Sequence, residues 1–398
     1  MKQGWVKKKL VDACDLFTDG NWIESKDQSL EGIRLIQTGN VGSGENKDKK
    51  GKERFVSQET FDRLKCTEIF PGDILVSRLP EPVGRSCIIP DTDSRLITAV
   101  DCTIVRTSEE LLPVFLRYFQ LSNAYLKDVN SKVTGTTRSR ISRKNLGLIE
   151  IPIPPLEEQK QIVAKLDQCF EVIDKAKANV AKNLEDAKEL FQSKLNDIFS
   201  QKGEGWVEKK LGDVCSLIGG GTPSKKNKQF YTGDILWATV RDMKLDVITQ
   251  TECSITKEAV SKSSTNIIPK GNVIIATRVG LGKVCLINQD TAINQDLRGV
   301  IPKEKSDLQV KYLFWWFKSI SKLIINEGTG ATVQGVKLPF VKSLNIPIPT
   351  TASQSNIVAL LDTLQEQTQS LESKYQQELN SLEELKKSIL QKAFEGEL

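Results

Sequence analysis

Over residues 1–154, short apolar runs alternate with turn residues. Ile33-Arg34-Leu35-Ile36, Asp73-Ile74-Leu75-Val76-Ser77, Cys87-Ile88-Ile89 and Cys102-Thr103-Ile104-Val105 have the length of strands, and Pro71-Gly72, Gly84 and Pro90 punctuate them. A helix is expected over 114–129, with Pro113 suited to its first turn. The rhythm changes after Ile151-Pro152-Ile153-Pro154, whose alternating prolines hold the chain extended. Val163, Leu166, Phe170, Ile173, Val180, Leu184, Ala187, Phe191 and Ile198 then recur at three- and four-residue intervals, interrupted by Lys177 and Lys194. No Gly or Pro breaks this stretch, so one helix of about 40 residues and about 60 Å is predicted.

The second half repeats the plan. GWVKKKLVDACDL at 4–16 returns as GWVEKKLGDVCSL at 205–217, and Ile346-Pro347-Ile348-Pro349 matches the first Ile-Pro-Ile-Pro block. Asp234-Ile235-Leu236-Trp237, Val273-Ile274-Ile275-Ala276 and Val284-Cys285-Leu286-Ile287 align with strands of the first half, and a helix opens at Lys311. Ile357, Leu361, Leu364, Thr368, Leu371, Tyr375, Leu382, Leu385 and Ile389 carry a second helical stripe. A period near half the chain is too long for a solenoid and means two copies of one domain. A narrow stripe on a long helix calls for a partner with the same stripe. The expected fold is therefore α+β: mixed α/β domains over 1–154 and 201–349, with long helices over 155–200 and 350–398. The helices would pair antiparallel as a coiled coil about a pseudo-two-fold axis and act as a ruler. Packing of each helix on its own domain is the alternative.

Composition excludes much chemistry. The 398 residues include no histidine, which removes imidazole acid–base catalysis, Ser-His and Cys-His nucleophile pairs and most catalytic zinc sites. The eight cysteines form no C-x-x-C, so neither a metal site nor a disulfide framework is expected. Cys14 with Cys215 and Cys87 with Cys285 fall at repeated positions and read as small core residues. The net charge of +5 is mildly basic and compatible with a polyanionic partner. No apolar run is long enough for a membrane span, and the N-terminus lacks a signal-peptide core, so a cytoplasmic location is expected.

No segment has catalytic spacing. Gly219-Gly220-Gly221-Thr222-Pro223-Ser224-Lys225-Lys226 does not fit a phosphate-binding P-loop, and no dinucleotide or adenine-methyltransferase motif is present. Basic and polar loops are more informative. Thr134 to Lys144 holds Thr136, Thr137, Arg138, Arg140, Arg143 and Lys144. Cations neutralise phosphates, hydroxyls position a duplex, and arginine can read guanine bidentately. The matching segment of the second half replaces the arginines and offers Thr332, Gln334 and Lys337. Further candidate contacts are Asn40, Lys47, Lys49, Lys50 and Arg78 in the first half. In the second they are Thr222, Ser224, Lys225, Lys226, Arg241, Asp242 and Arg278. A solvated basic loop is the alternative for any one arginine. Arg78 and Arg278 follow matching strands, which a structural salt bridge explains as well as DNA contact.

These residues resemble a specificity subunit of a type I restriction–modification system. Gly135-Thr136-Thr137-Arg138, then Ile151-Pro152-Ile153-Pro154-Pro155-Leu156-Glu157-Glu158-Gln159 with Ile162-Val163, carry the resemblance in the first half. Ile346-Pro347-Ile348-Pro349 and Gln354 with Ile357-Val358 carry it in the second, where Thr351-Ala352-Ser353 replaces Leu156-Glu157-Glu158. The resemblance implies two target-recognition domains, each reading one half of a split, asymmetric site in double-stranded DNA. The half-sites would lie about one helical turn, roughly 34 Å, apart. It implies no catalysis and no cofactor in this chain. Two modification subunits would bind S-adenosylmethionine and methylate adenine, and restriction subunits, using ATP and Mg, are further partners. Glu157, Glu158, Gln159, Ile162, Gln354 and Ile357 would form the docking surface for the modification subunits. The rival readings are a coiled-coil scaffold with no DNA role and a methyltransferase or nuclease with diverged motifs.

Overall fold

A computed structural model of the chain describes residues 2–47, 49–135, 138–201, 203–330 and 335–398. Two compact units are present. The first combines Met1–Ala181 with Gln377–Leu398, and the second is Lys182–Gln376. The long helices are Leu156–Ser200 and Thr351–Glu395, each 45 residues. The boundaries fall within these helices because each unit packs its own sheets on a segment of both.

In the first unit, Cys14–Asp19, Cys102–Thr107, Ile74–Ser77 and Ser86–Ile88 form an antiparallel sheet in that order. A second sheet orders Phe55–Val56, Ile33–Ile36, Leu96–Thr98 and Glu68–Ile69, with the two inner strands parallel. Strand alternation divides the core. Ile74 and Val76 face a cluster with Phe115, Tyr125, Leu166, Phe170 and Leu390 on the helices, whereas Leu75 packs with Ile36, Cys87 and Ile104. The helix expected over 114–129 is two helices, Pro113–Gln120 and Asn123–Ser131. The break falls at Ser122, whose hydroxyl accepts from the Tyr125 amide at 3.3 Å and caps the second helix.

The second unit repeats this plan. Its first sheet orders Cys215–Gly219, Leu297–Pro302, Val273–Ala276, Val284–Ile287 and an added edge strand, Val247–Ile248. Val273 and Ile275 face the helical cluster, while Ile274 and Ala276 face the opposite one. The helix Val310–Ser319 buries Tyr312 to Phe317 without interruption. A helix apolar on every side needs cover on every side, and strand Val273–Ala276 and long-helix residues Leu195, Phe199 and Leu361 supply it.

The two repeated blocks at the domain ends pair with each other. Val6–Lys9 lies antiparallel to Glu150–Ile153, and Val207–Lys210 to Asn345–Ile348. Proline fits a two-stranded ribbon, where an edge position needs no ladder donor. In the first unit the long helices run antiparallel. Lys177 pairs with Glu383, and Asp174 with Lys386 at 3.0 Å. The polar interruption at Lys177 is thereby matched. All eight cysteines are free thiols, with Cys87, Cys215 and Cys285 buried.

The glutamines assigned to docking are structural. The amide of Gln159, fully buried, accepts from the Leu112 N–H at 2.9 Å and donates to the carbonyls of Glu110 at 2.7 Å and Pro154 at 2.8 Å. Gln354, also fully buried, accepts from Gln309 N–H at 2.8 Å and donates to Asp307 at 2.7 Å and Pro349 at 3.1 Å. Each fastens the start of a long helix to the loop before the preceding domain helix. Ile162 is buried in the first helical cluster and Ile357 packs against the second. Gln159, Gln354 and Ile162 therefore offer no docking surface as they stand, and Ile357 is partly exposed. Glu157 is exposed beside Lys160, and Glu158 pairs with Lys2 at 2.7 Å.

Candidate nucleic-acid interface

In each unit, one set of loops gathers at one end of the sheets, held by the same hydrogen bonds. The Asn21 N–H reaches Thr98 O at 3.0 Å, as Gly221 N–H reaches Ile293 O at 2.9 Å. Ala99 N–H to Ile36 O at 3.1 Å corresponds to Asn294 N–H to Ala238 O at 3.0 Å. Arg78 N–H to Asp101 O and Thr277 N–H to Asp296 O are both 2.9 Å. The basic loop joins the cluster through Ile141 N–H to Arg78 O at 3.2 Å, matched by Val336 N–H to Thr277 O at 2.9 Å. Five chain segments thus meet in each copy.

This register corrects one equivalence. Ile74 pairs with Val105 and Val273 with Val300, so Arg78 corresponds to Thr277, and Arg278 to Leu79. A one-residue displacement along an extended chain sends the side chain to the opposite face. Arg78 is accordingly buried, 4% exposed, 3.2 Å from the Asp19 carboxylate and donating to Val100 O at 2.5 Å. Burial pulls its guanidinium below the usual arginine range, and Asp19 opposes that shift. Of the two roles left open for Arg78, the salt bridge describes it, and as placed it cannot reach a phosphate. Arg278 is half-exposed and 3.6 Å from Asp296.

The arginine beside the loop aspartate comes from different segments. In the first unit Arg140 lies 3.2 Å from Asp101. In the second its counterpart is Gly335, which packs beside Arg278: a Cβ there would lie 3.4 Å from Arg278 Cγ. Arg143 donates to Thr18 at 3.2 Å and stays about half-exposed. Arg138 and Lys144 are exposed on the same stretch.

A cap repeats as well. Asn40 Oδ1 accepts from Gln37 N–H at 3.0 Å, as an Asp242 oxygen does from Thr239 N–H at 2.7 Å. The Asn40 amide also donates to Lys47 O at 3.0 Å. Asp242 additionally accepts from Thr239 Oγ1 and Glu252 N–H. These two proposed contacts are thus engaged in shaping their loops. Gly39 occupies the place of Arg241, and Lys49 Nζ would lie 2.4 Å from a Cβ added there. One unit thus carries a cationic residue at this position, and the other brings a lysine ammonium up to it. Lys47 lies 3.8 Å from Glu45, and Lys50 is exposed.

In the second unit the loops surround a cleft of about 530 Å³ lined by Thr222, Lys225, Arg241, Asp242, Gln295 and Asp296, among others. Ser224 and Lys226 flank Lys225 on the surface, and Lys337 is exposed at the start of helix Leu338–Ser343. Thr136, Thr137, Thr332 and Gln334 lie outside the described residues. Among the described residues, no group of three or more His, Cys, Asp or Glu could hold a metal ion, and no helix is long and apolar enough to cross a membrane.

The sequence reading missed Arg85. Its guanidinium donates to the carbonyls of Val41 and Leu79 at 2.7 Å, Thr38 at 2.8 Å and Pro82 at 3.0 Å, tying two site loops together. Its counterpart Lys283 reaches Val240 O at 3.5 Å. The signal was present: Gly84-Arg85 and Gly282-Lys283 repeat, and both glycines have positive φ.

A duplicated frame with unlike cationic and polar loops is a two-headed binding module. A family model described as the type I restriction modification DNA specificity domain matches residues 2–185 and again 203–381, and the chain belongs to that family. The specificity subunit of the Escherichia coli type I restriction enzyme EcoR124I/EcoR124II is 33% identical over 233 residues, 56% of this chain. The match spans little more than half, 57%, of that subunit's length. A chain solved in work on complex assembly and conformational transition of the type I R-M system superposes with a TM-score of 0.82 at 22% identity, covering 100% of this chain and 99% of its own. The HsdS subunit from Thermoanaerobacter tengcongensis gives 0.63 at 22% identity, over 100% of this chain and 98% of its own. At these identities the structural likeness concerns the fold.

Proposed function

We propose that this chain is the DNA-reading, non-catalytic subunit of a type I restriction–modification assembly. Each unit would read one half of a bipartite, asymmetric site in double-stranded DNA. The observation that carries this reading is the paired loop clusters: the backbone frame is held by matching hydrogen bonds, while the side chains it presents differ. Identical side chains on that frame would favour identical half-sites, and unlike ones favour an asymmetric target. The cations Arg138, Arg140, Arg143 and Lys144 in the first unit, and Lys225, Arg241 and Arg278 in the second, suit phosphate contact.

Adenine methylation is assigned to two modification subunits carrying S-adenosylmethionine, and cleavage to restriction subunits using ATP and Mg, all within the cytoplasm. The exposed Glu157 remains available for docking, whereas the buried glutamines hold the helix starts. The test is duplex binding by the full chain with its modification subunits across a salt series. The logarithm of affinity should fall linearly with log salt, and affinity should depend on sequence. Affinity indifferent to both would end this reading.

A further inference from the structure

Position 100 in the first unit and its counterpart 295 in the second are fixed in backbone yet differ in side chain. The preceding residue is held by the Ala99 and Asn294 amide bonds described above. The residue's own carbonyl accepts from a guanidinium in both copies: Arg78 to Val100 O at 2.5 Å, and Arg298 to Gln295 O at 3.3 Å. The strands supplying those arginines differ. Arg298 is the counterpart of Thr103, and a Cβ on Gly219, the counterpart of Asp19, would lie 3.4 Å from its Nη1. The pair of buried Arg78 and partly exposed Asp19 is thus replaced by an arginine over a glycine. The following residue is anchored through its carbonyl, and its carboxylate pairs with Arg140 or Arg278. Different side chains thus hold the same turn.

At position 295 this scaffold projects an exposed amide into the cleft. Thr222 donates its hydroxyl to Gln295 Oε1, which orients the amide. Arg241 and Lys225 line the same cleft and suit flanking phosphates. In the first unit Trp22 and Val100 replace Thr222 and Gln295, adjoining the Asn21–Ala99 bridge. An oriented glutamine amide matches the N6 and N7 edge of adenine, whereas Val100 offers only apolar contact, such as with a thymine methyl, and the Trp22 indole N–H donates to Glu24 at 3.2 Å.

We propose that this aligned position is specificity-determining: Gln295, oriented by Thr222, reads a base edge in the half-site of the second unit, and Val100 holds the corresponding place in the first. This inference rests on the DNA-reading role proposed above. The test is selection from a randomised duplex pool by the full chain with its modification subunits, followed by sequencing. Gln295→Val and Gln295→Ala should each lose about 5- to 100-fold of discrimination at one base pair of one half-site, leaving the other half-site and the salt slope unchanged. Thr222→Val should weaken the same base preference. Arg241→Ala should instead lower affinity for all sequences and reduce the salt slope by about one. Thermal unfolding of each variant checks that the fold is intact. If the unaltered chain selects a split motif and both Gln295 variants select the same motif with equal stringency, this inference fails alone. A uniform loss across sequences also overturns it. If the unaltered chain enriches no motif, the DNA-reading role falls with it.

Discussion

Replacing Gln159 with alanine removes three hydrogen bonds from a site with no exposure: one from the Leu112 N–H and two to the carbonyls of Glu110 and Pro154. A net hydrogen bond is worth about 1 kcal/mol, and a buried partner left unsatisfied costs about 1–3 kcal/mol. Water entering the vacated space would restore some of these bonds, so a total of about 3 kcal/mol is expected. In a unit of 150–250 residues this corresponds to a fall in Tm of about 6–12 °C. Gln159→Glu keeps the shape but turns an oxygen toward the two carbonyls, and should cost at least as much. Glu157→Ala, at an exposed site two residues away, should change stability by less than about 0.5 kcal/mol. The assay is urea and thermal unfolding of the full chain. A Gln159→Ala variant as stable as the unaltered protein would refute the clamp and return Gln159 to the surface role its position in the sequence suggested.

Three further outcomes are expected. Arg78→Ala leaves the Val100 carbonyl without its guanidinium and the Asp19 carboxylate with only Thr103 at 2.9 Å and Arg143 at 4.0 Å, and should cost about 2–4 kcal/mol, whereas Arg278→Ala should stay within about 0.5 kcal/mol; equal costs in equilibrium unfolding would contradict the strand register. Arg85→Ala should raise hydrogen–deuterium exchange in 38–41 and 79–82, and unaltered exchange there would mean the loops are held otherwise. Burial raises the thiols of Cys87 and Cys285 to about 12 and that of Cys102 to about 11, while Cys253 is exposed. Alkylation of the native chain at pH 8 should modify Cys253 first, and mass spectrometry finding Cys102 modified as fast would contradict this burial.

The duplication and the long helices were legible because periodicity and repeated blocks are local features of the sequence. Val273–Ala276, Val284–Ile287 and Ile33–Ile36 fall where their apolar runs predict. Pairing was less accessible. The Gly-Trp-Val and Ile-Pro-Ile-Pro blocks both stood out as repeats, yet their contact across a domain depends on how the intervening chain returns. Ser77-Arg78 and Thr277-Arg278 look equivalent by residue type, and only strand register exposes the displacement that buries one arginine and leaves the other at the surface. Gln159 sits among charged helix-start residues, so nothing in its neighbours marks it as buried. Two loop carbonyls and an amide, brought from a distant segment, make it so. Arg85 was overlooked because a lone arginine after a glycine resembles any solvated turn until its repeat is noticed.

The central claim is that one frame, used twice, presents different side chains to two halves of a DNA site. Single-molecule mapping of adenine methylation in host DNA, with and without this chain, tests it most directly. The predicted result is a single split motif with two unlike half-sites, methylated only when the chain is present. A motif with identical half-sites, or methylation that persists unchanged in its absence, would contradict it.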